Sequence, residues 1–177
     1  MVTDEENLQR LVTSKNHMCI FAAYLARAIL FYFSKDYPQS ITNASAAEAH
    51  AGGVLGMMIN GQHNFYYSLA LLAQAPNLSE IEQKQALLQV EANQQIMQKW
   101  AFHAPANYQH KYELVEAEKA RVLGQGLEAM EFYDRAIAGA KEQGFIHEEA
   151  LASELAAEFY FSRGRENIAR DYLTQSY

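Results

Sequence analysis

Along most of the chain apolar residues recur at steps of three and four, the spacing that lays one face of an α-helix against a core. The strongest run covers about residues 17–34, where Met18, Phe21, Leu25, Ala28 and Tyr32 share a face. Lys35 and Asp36 then turn the chain, and Pro38 suits the first turn of a second helix. That helix directs Ile41, Ala44 and Ala47 inward before Gly52 and Gly53 end it. A third is expected over 54–73, with Phe65, Leu69 and Leu72 inward and with Gly56 and Gly61 able to divide it. Ser79 with Glu82 reads as a capping box opening a long helix. Its apolar positions are Ile81, Leu87, Leu88, Val90, Ile96, Trp100 and Phe102, its solvated side is glutamine-rich (Gln83, Gln85, Gln94, Gln95, Gln98), and Pro105 closes it. Asn107 caps a helix over 108–123, whose partner over 126–143 stops at Gly144. A last pair covers 146–163 and 165–176, and a short helix over 4–14 with Thr3 as N-cap leads the chain.

The second half repeats itself. Gly164, Ala169 and Tyr172 stand where Gly124, Ala129 and Phe132 stand, each displaced by 40 residues, and Ala117 and Ala157 lie seven residues before their glycines. Glycine at a helix corner, small residues at helix crossings and a fixed period together mark a helical repeat array. Lys35, with Ala28 seven residues before it, reads as a degenerate first corner. The expected fold is all-α: an α-α superhelix of about four helix pairs, over 17–53, 54–102, 107–143 and 146–176, in a single domain spanning 1–177. Packing between repeats is assigned to Ala117, Gly124, Ala129, Tyr133, Ala136, Ala157, Gly164 and Ala169. The last helix leaves Tyr172, Leu173 and Tyr177 without a following partner, as in an array that lacks its terminal cap, so the chain reads as part of something longer.

Two resemblances rest on these residues. The corners LGQGLEAMEFYDRAIAGAKEQG and SRGRENIARDYLTQS resemble tetratricopeptide-type repeats. Gly124, Ala129, Tyr133 and Ala136, with Ala117 upstream and Ala157, Gly164 and Ala169 in the next unit, match that family's small and aromatic packing positions. Glu113 and Ser153 stand where the family prefers a large aromatic, Lys141 where it prefers proline, and the period of 40 exceeds the usual ~34. Over nearly the whole chain, the strings NHMCIF (16–21), NFYYSLALLA (64–73), QVEANQQIMQKWAFHAPANYQHKYELVEAEKARVLG (89–124) and YDRAIAGAKEQGFIHEEALASELAAEFY (133–160) resemble the helical-repeat region of the large cyanobacterial hybrid serine/threonine–histidine kinases. In that family kinase and ATPase-like modules precede the repeat region, and a GAF sensor and histidine-kinase core follow it. The resemblance implies a connecting scaffold in a multi-sensor signal-transduction (two-component) kinase and carries no active-site residue onto this chain.

Composition narrows the partners. A net charge of −7 and a pI near 5.3 argue against nucleic acid and against an anionic membrane surface. The most apolar run, 17–33, is short for a membrane span and carries Arg27. An acidic N-terminus without a secretory pattern and a single cysteine, Cys19, point to the cytoplasm. Between Asp36 and Glu80 the one formally charged residue is Glu48, which predicts enclosure by neighbouring helices.

Catalytic motifs are missing from the string. It contains no kinase glycine-rich loop, no H-R-D, no G-x-x-x-x-G-K-[ST], no H-E-x-x-H and no Glu-x-x-His pair, so no metal or cofactor is expected. His147 before Glu148 and Glu149 faintly resembles a phosphoacceptor, although the two acids are explained by the positive end of a helix. Cys19 reads as a buried, inert thiol, and Phe65, Tyr66, Tyr67, Phe132, Tyr133, Phe159, Tyr160 and Phe161 as core. Glu128, Glu131 and Asp134 read as a solvated face. The function expected is therefore non-catalytic contact with another protein or with flanking domains, through Tyr112, Glu116, Lys119, Glu154 and Glu158. The alternatives are a small-molecule sensor with a pocket near 54–73 and, more distantly, a histidine phosphotransfer bundle.

Overall fold

A computed structural model describes residue 13 and residues 15–175. The leading helix expected over 4–14 falls outside the described residues except at Thr13, and Tyr177 falls outside them altogether. All described elements are helical. They are α1 (His17–Phe33), α2 (Tyr37–Glu48), a 3₁₀ turn (Ala51–Val54), α3 (Ile59–Gln74), a second 3₁₀ turn (Ala75–Asn77), α4 (Glu80–His103), α5 (Pro105–Val122), α6 (Gly126–Glu142), α7 (Ile146–Ser162) and α8 (Glu166–Gln175). The chain divides into two compact units between Ala86 and Leu87, within α4.

Four corners have one geometry. Lys35, Gly124, Gly144 and Gly164 take left-handed φ values of 59°, 74°, 74° and 69°. In each corner the amide of the following residue reaches back to the carbonyl five residues earlier: Asp36 to Phe31, Gln125 to Ala120, Phe145 to Ala140 and Arg165 to Tyr160, at 2.9–3.0 Å. This is the Schellman closure of a helix C-terminus. That same following residue then opens the next helix, its carbonyl accepting from Ser40, Ala129, Glu149 or Ala169. The backbone angles at Asp36, Gln125 and Phe145 agree within a few degrees (φ −88°, −82°, −85°; ψ 71°, 68°, 72°). Gly144 is therefore a full corner and not just a helix stop, and in the second unit corners recur every 20 residues.

A side chain in the left-handed region is strained, so Gly144→Ala is expected to cost about 1 kcal/mol. Lys35→Gly, removing strain at the one non-glycine member of the four, should gain about 0.5 kcal/mol. Urea midpoints measured at unchanged slope check both.

In the first unit α1 packs on α2 and α3, and α2 on α3. Its core joins Phe21, Leu25, Ala47 and Val54. Buried polar groups are tied to the backbone: the Ser40 hydroxyl donates to the Ala28 carbonyl and His63 Nε2 to that of Ala44, both at 2.8 Å. Burial lowers the His63 pKa, consistent with a neutral ring in that bond. From His63 to Leu72 every residue of α3 is buried, as the charge-poor stretch predicts. Phe65, Tyr66 and Tyr67 lie there among the rings of Tyr32 and His63.

The structure corrects several sequence expectations. Helix α2 ends at Glu48, and α3 starts at Ile59 because Gly56, at φ 75°, turns the chain between them. Pro105 opens α5, so Asn107 lies inside the helix it was expected to cap. Met18 is exposed. On α4 the capping box forms, with the Ser79 amide donating to Glu82 at 3.0 Å, but the apolar stripe is displaced. Ile81, Leu88, Ile96 and Phe102 are exposed; Val90 is buried as expected, but so are Ala86, Asn93, Met97 and Ala101, and so is Gln94, expected on the solvated face. Phe161 is exposed too.

In the second unit α5 packs on α6, α6 on α7, α7 on α8, and α5 also on α7. Ala117, Ala129, Ala136, Ala157 and Ala169 are all buried, while Gly124 and Gly164 form the exposed corners. Glu113 and Ser153 are buried as well.

Candidate functional site

Polar side chains in the second unit gather in three groups. The first joins the later part of α4 to α5. Gln94 donates to the Tyr112 carbonyl at 3.0 Å and to Glu116 at 2.9 Å, and the Lys119 ammonium contacts Glu116 at 2.9 Å and Glu91 at 3.1 Å. Burial opposes the lysine charge, but the two carboxylates outweigh it and raise its pKa. Glu116 and Lys119, expected as docking residues, thus take part in bonds that hold α4 to α5; Tyr112 is half-buried.

The second group joins α5 to α6. Arg121 grips Glu118 with Nε at 3.0 Å and 3.1 Å and Nη2 at 2.7 Å, and the hydroxyl of fully buried Tyr133 donates to the same carboxylate. Burial raises the Tyr133 pKa, with the Glu118 charge adding to it. Burial works against the Arg121 charge, yet the adjoining carboxylate overrides this and raises its pKa.

The third group joins α5 to the start of α7. Lys111, only 2% exposed, places Nζ 3.1 Å from Glu148, 2.9 Å from His110 Nε2 and 4.3 Å from the centre of the Phe145 ring. Glu148 therefore does more than complement a helix terminus; it neutralises a buried cation. Burial, followed by the neighbouring ammonium, brings the His110 pKa down to about 4. Unfolding then takes up a proton between pH 6.5 and about 4, so stability is full above that interval and falls as pH drops through it. The loss should approach about 3 kcal/mol, and His110→Phe should flatten that part of a urea-midpoint profile. His63 adds a slope of the same sign.

Glu154 and Glu158 are exposed and line a groove between α7 and α8 of about 320 Å³, together with Ala157, Phe161, Ala169 and Leu173. Of the five residues assigned to an interaction surface, the structure brings these two to one open apolar feature. Glu128, Glu131 and Asp134 lie on the surface, where Asp134 accepts from the Tyr172 hydroxyl at 2.5 Å while the Tyr172 ring stacks on Tyr160. His147 is exposed at the first turn of α7, and Cys19 is a half-buried free thiol. Among the described residues no three His, Cys, Asp or Glu side chains are grouped to hold a metal ion, and no helix is long and apolar enough to cross a membrane.

Searches of protein-family models, curated proteins and solved structures find no match to the chain.

Proposed function

We propose that this chain is a non-catalytic helical-repeat scaffold: a tetratricopeptide-like α-α superhelix that makes protein–protein or interdomain contacts in a cytoplasmic signal-transduction kinase. The observation that carries the scaffold reading is the shared corner. One backbone solution, repeated at Lys35, Gly124, Gly144 and Gly164, sets consecutive helices against one another with alanines at the crossings. Such an arrangement spends its polar chemistry on joining helices, as the Glu118 and Lys111 groups do, and offers its outer faces to partners. The link to signalling kinases rests on the resemblance of the long sequence strings alone.

The test has two arms. Chemical crosslinking in cells, read by mass spectrometry, should join lysines of this chain to kinase or sensor domains, in the same polypeptide or in another. The purified protein should neither hydrolyse ATP nor accept phosphate at His147 from a phosphorylated response regulator. Turnover, or label on His147, would replace the scaffold with a phosphotransfer bundle.

A further inference from the structure

The groove between α7 and α8 is the α5–α6 surface moved on by one repeat. Leu114, Ala117, Glu118, Arg121, Ala129 and Tyr133 become Glu154, Ala157, Glu158, Phe161, Ala169 and Leu173 when advanced by 40 residues. In the first copy of this surface Leu114, Ala117, Ala129 and Tyr133 are at most 1% exposed, and α7 packs on both helices that carry it. In the second copy Phe161 is 64% and Leu173 43% exposed. The molecule therefore shows, on itself, what kind of element covers such a groove.

Helix α7 meets the first copy along one stripe. Glu148 reaches Lys111, Phe159 lies 5.5 Å from the Tyr133 ring, and Arg163 lies so close to Gly126 that a methyl there would stand 2.5 Å from its guanidinium. Ala152 and Ala156, buried and at helical spacing from these residues, complete the stripe. The seat contacts therefore call for small residues four apart, an aromatic three further on, and a cation four beyond it. Advanced by one repeat, the position of Gly126 becomes Glu166, and that of Leu114 becomes Glu154. Both changes add negative charge where the occupant lies.

We infer that the α7–α8 groove docks a basic amphipathic α-helix of a partner, with the face small-x-x-x-small-x-x-aromatic-x-x-x-basic. This rests on the scaffold reading and names its partner class. A second copy of this chain is a poorer occupant, because it would set Glu154, Glu158 and Glu166 against themselves on a molecule of net charge −7.

The probe is a fluorescein-labelled peptide of residues 146–165 carrying Glu154→Lys and Glu158→Lys, titrated with the intact protein and followed by anisotropy. We expect saturable binding, weakened at least about tenfold by Leu173→Glu in the protein or by Phe159→Ala in the peptide, and weaker binding of the peptide with its natural glutamates. Leu173 is exposed, and a circular dichroism melt confirms that the variant folds. Absence of binding up to about 1 mM, or binding indifferent to Leu173→Glu, overturns the inference; the latter would indicate invasion of the α5–α6 groove. Concentration-dependent dimerisation abolished by Leu173→Glu would also overturn it, in favour of a second copy. If the crosslinks to kinase or sensor domains persist in the Leu173→Glu protein while the peptide fails, the groove assignment falls and the scaffold stands.

Discussion

Tyr133→Ala is expected to destabilise the second unit by about 4 kcal/mol, while Tyr133→Phe costs about 1–2 kcal/mol. Tyr133 is 0% exposed, packed against Phe159, and its hydroxyl meets the Glu118 carboxylate held by Arg121. Alanine removes the ring from a site that two neighbouring helices cannot collapse to fill, and it also takes a donor from a buried charge. Phenylalanine keeps the packing and removes only the donor, leaving Arg121 to neutralise Glu118. The difference between the two variants separates the packing contribution from that of the hydroxyl. Trp100, the single tryptophan, lies in the second unit with its ring 5.7 Å from that of Tyr108, so its fluorescence in urea reports the transition concerned. Equal costs for the two variants would show that the hydroxyl, and not the ring, dominates.

Where sequence reading succeeded, one local rule was sufficient. The corners needed only a residue that tolerates the left-handed region and an amide free to close the previous helix, so Gly124 and Gly164 marked them correctly, as did Lys35 by its register. The alanines picked out by the same period, Ala117, Ala129, Ala136, Ala157 and Ala169, are buried. Reading failed where burial depends on a neighbour distant in sequence. Helix α4 shows this most clearly. The stripe expected from hydrophobicity ran through Ile81, Leu87, Leu88, Val90 and Ile96, and of these Ile81, Leu88 and Ile96 are exposed. The structure instead buries Gln94, because Tyr112 and Glu116 offer its amide an acceptor on α5. Lys111 and Glu148 were missed for the same reason. In a string of letters each is a surface charge, and only the crossing of α5 with α7 makes them a buried pair. A hint existed in His110-Lys111, where the helical stripe through Leu114 and Ala117 passes straight across charged letters.

That pair supplies the other large effect. Glu148→Ala should cost about 3–5 kcal/mol, because it removes the carboxylate 3.1 Å from the Lys111 ammonium, whose side chain is 3% exposed. His110 Nε2 at 2.9 Å, the Asn107 carbonyl at 3.4 Å and the face of Phe145 also touch the ammonium, but none of these three is a carboxylate. Lys111→Met should cost less, about 1–2 kcal/mol, since Glu148 keeps partial access to solvent and sits in the first turn of α7, where the helix end favours a negative charge. Replacing both, with Lys111→Met and Glu148→Leu, should return most of the loss, because two apolar side chains carry no desolvation penalty. A double-mutant cycle measured by urea unfolding gives the coupling directly. The pH dependence gives an independent sign. Burial already lowers the Lys111 pKa, with Glu148 opposing the shift, so losing Glu148 lowers it further. The unfolded chain then holds the extra proton over a wider range, and Glu148→Ala should gain stability on going to alkaline pH more steeply than the parent protein. If the single Glu148→Ala variant were as stable as the parent at neutral pH, α7 would not be seated on α5 through this pair, and the template for the α7–α8 groove would lose one of its three contacts.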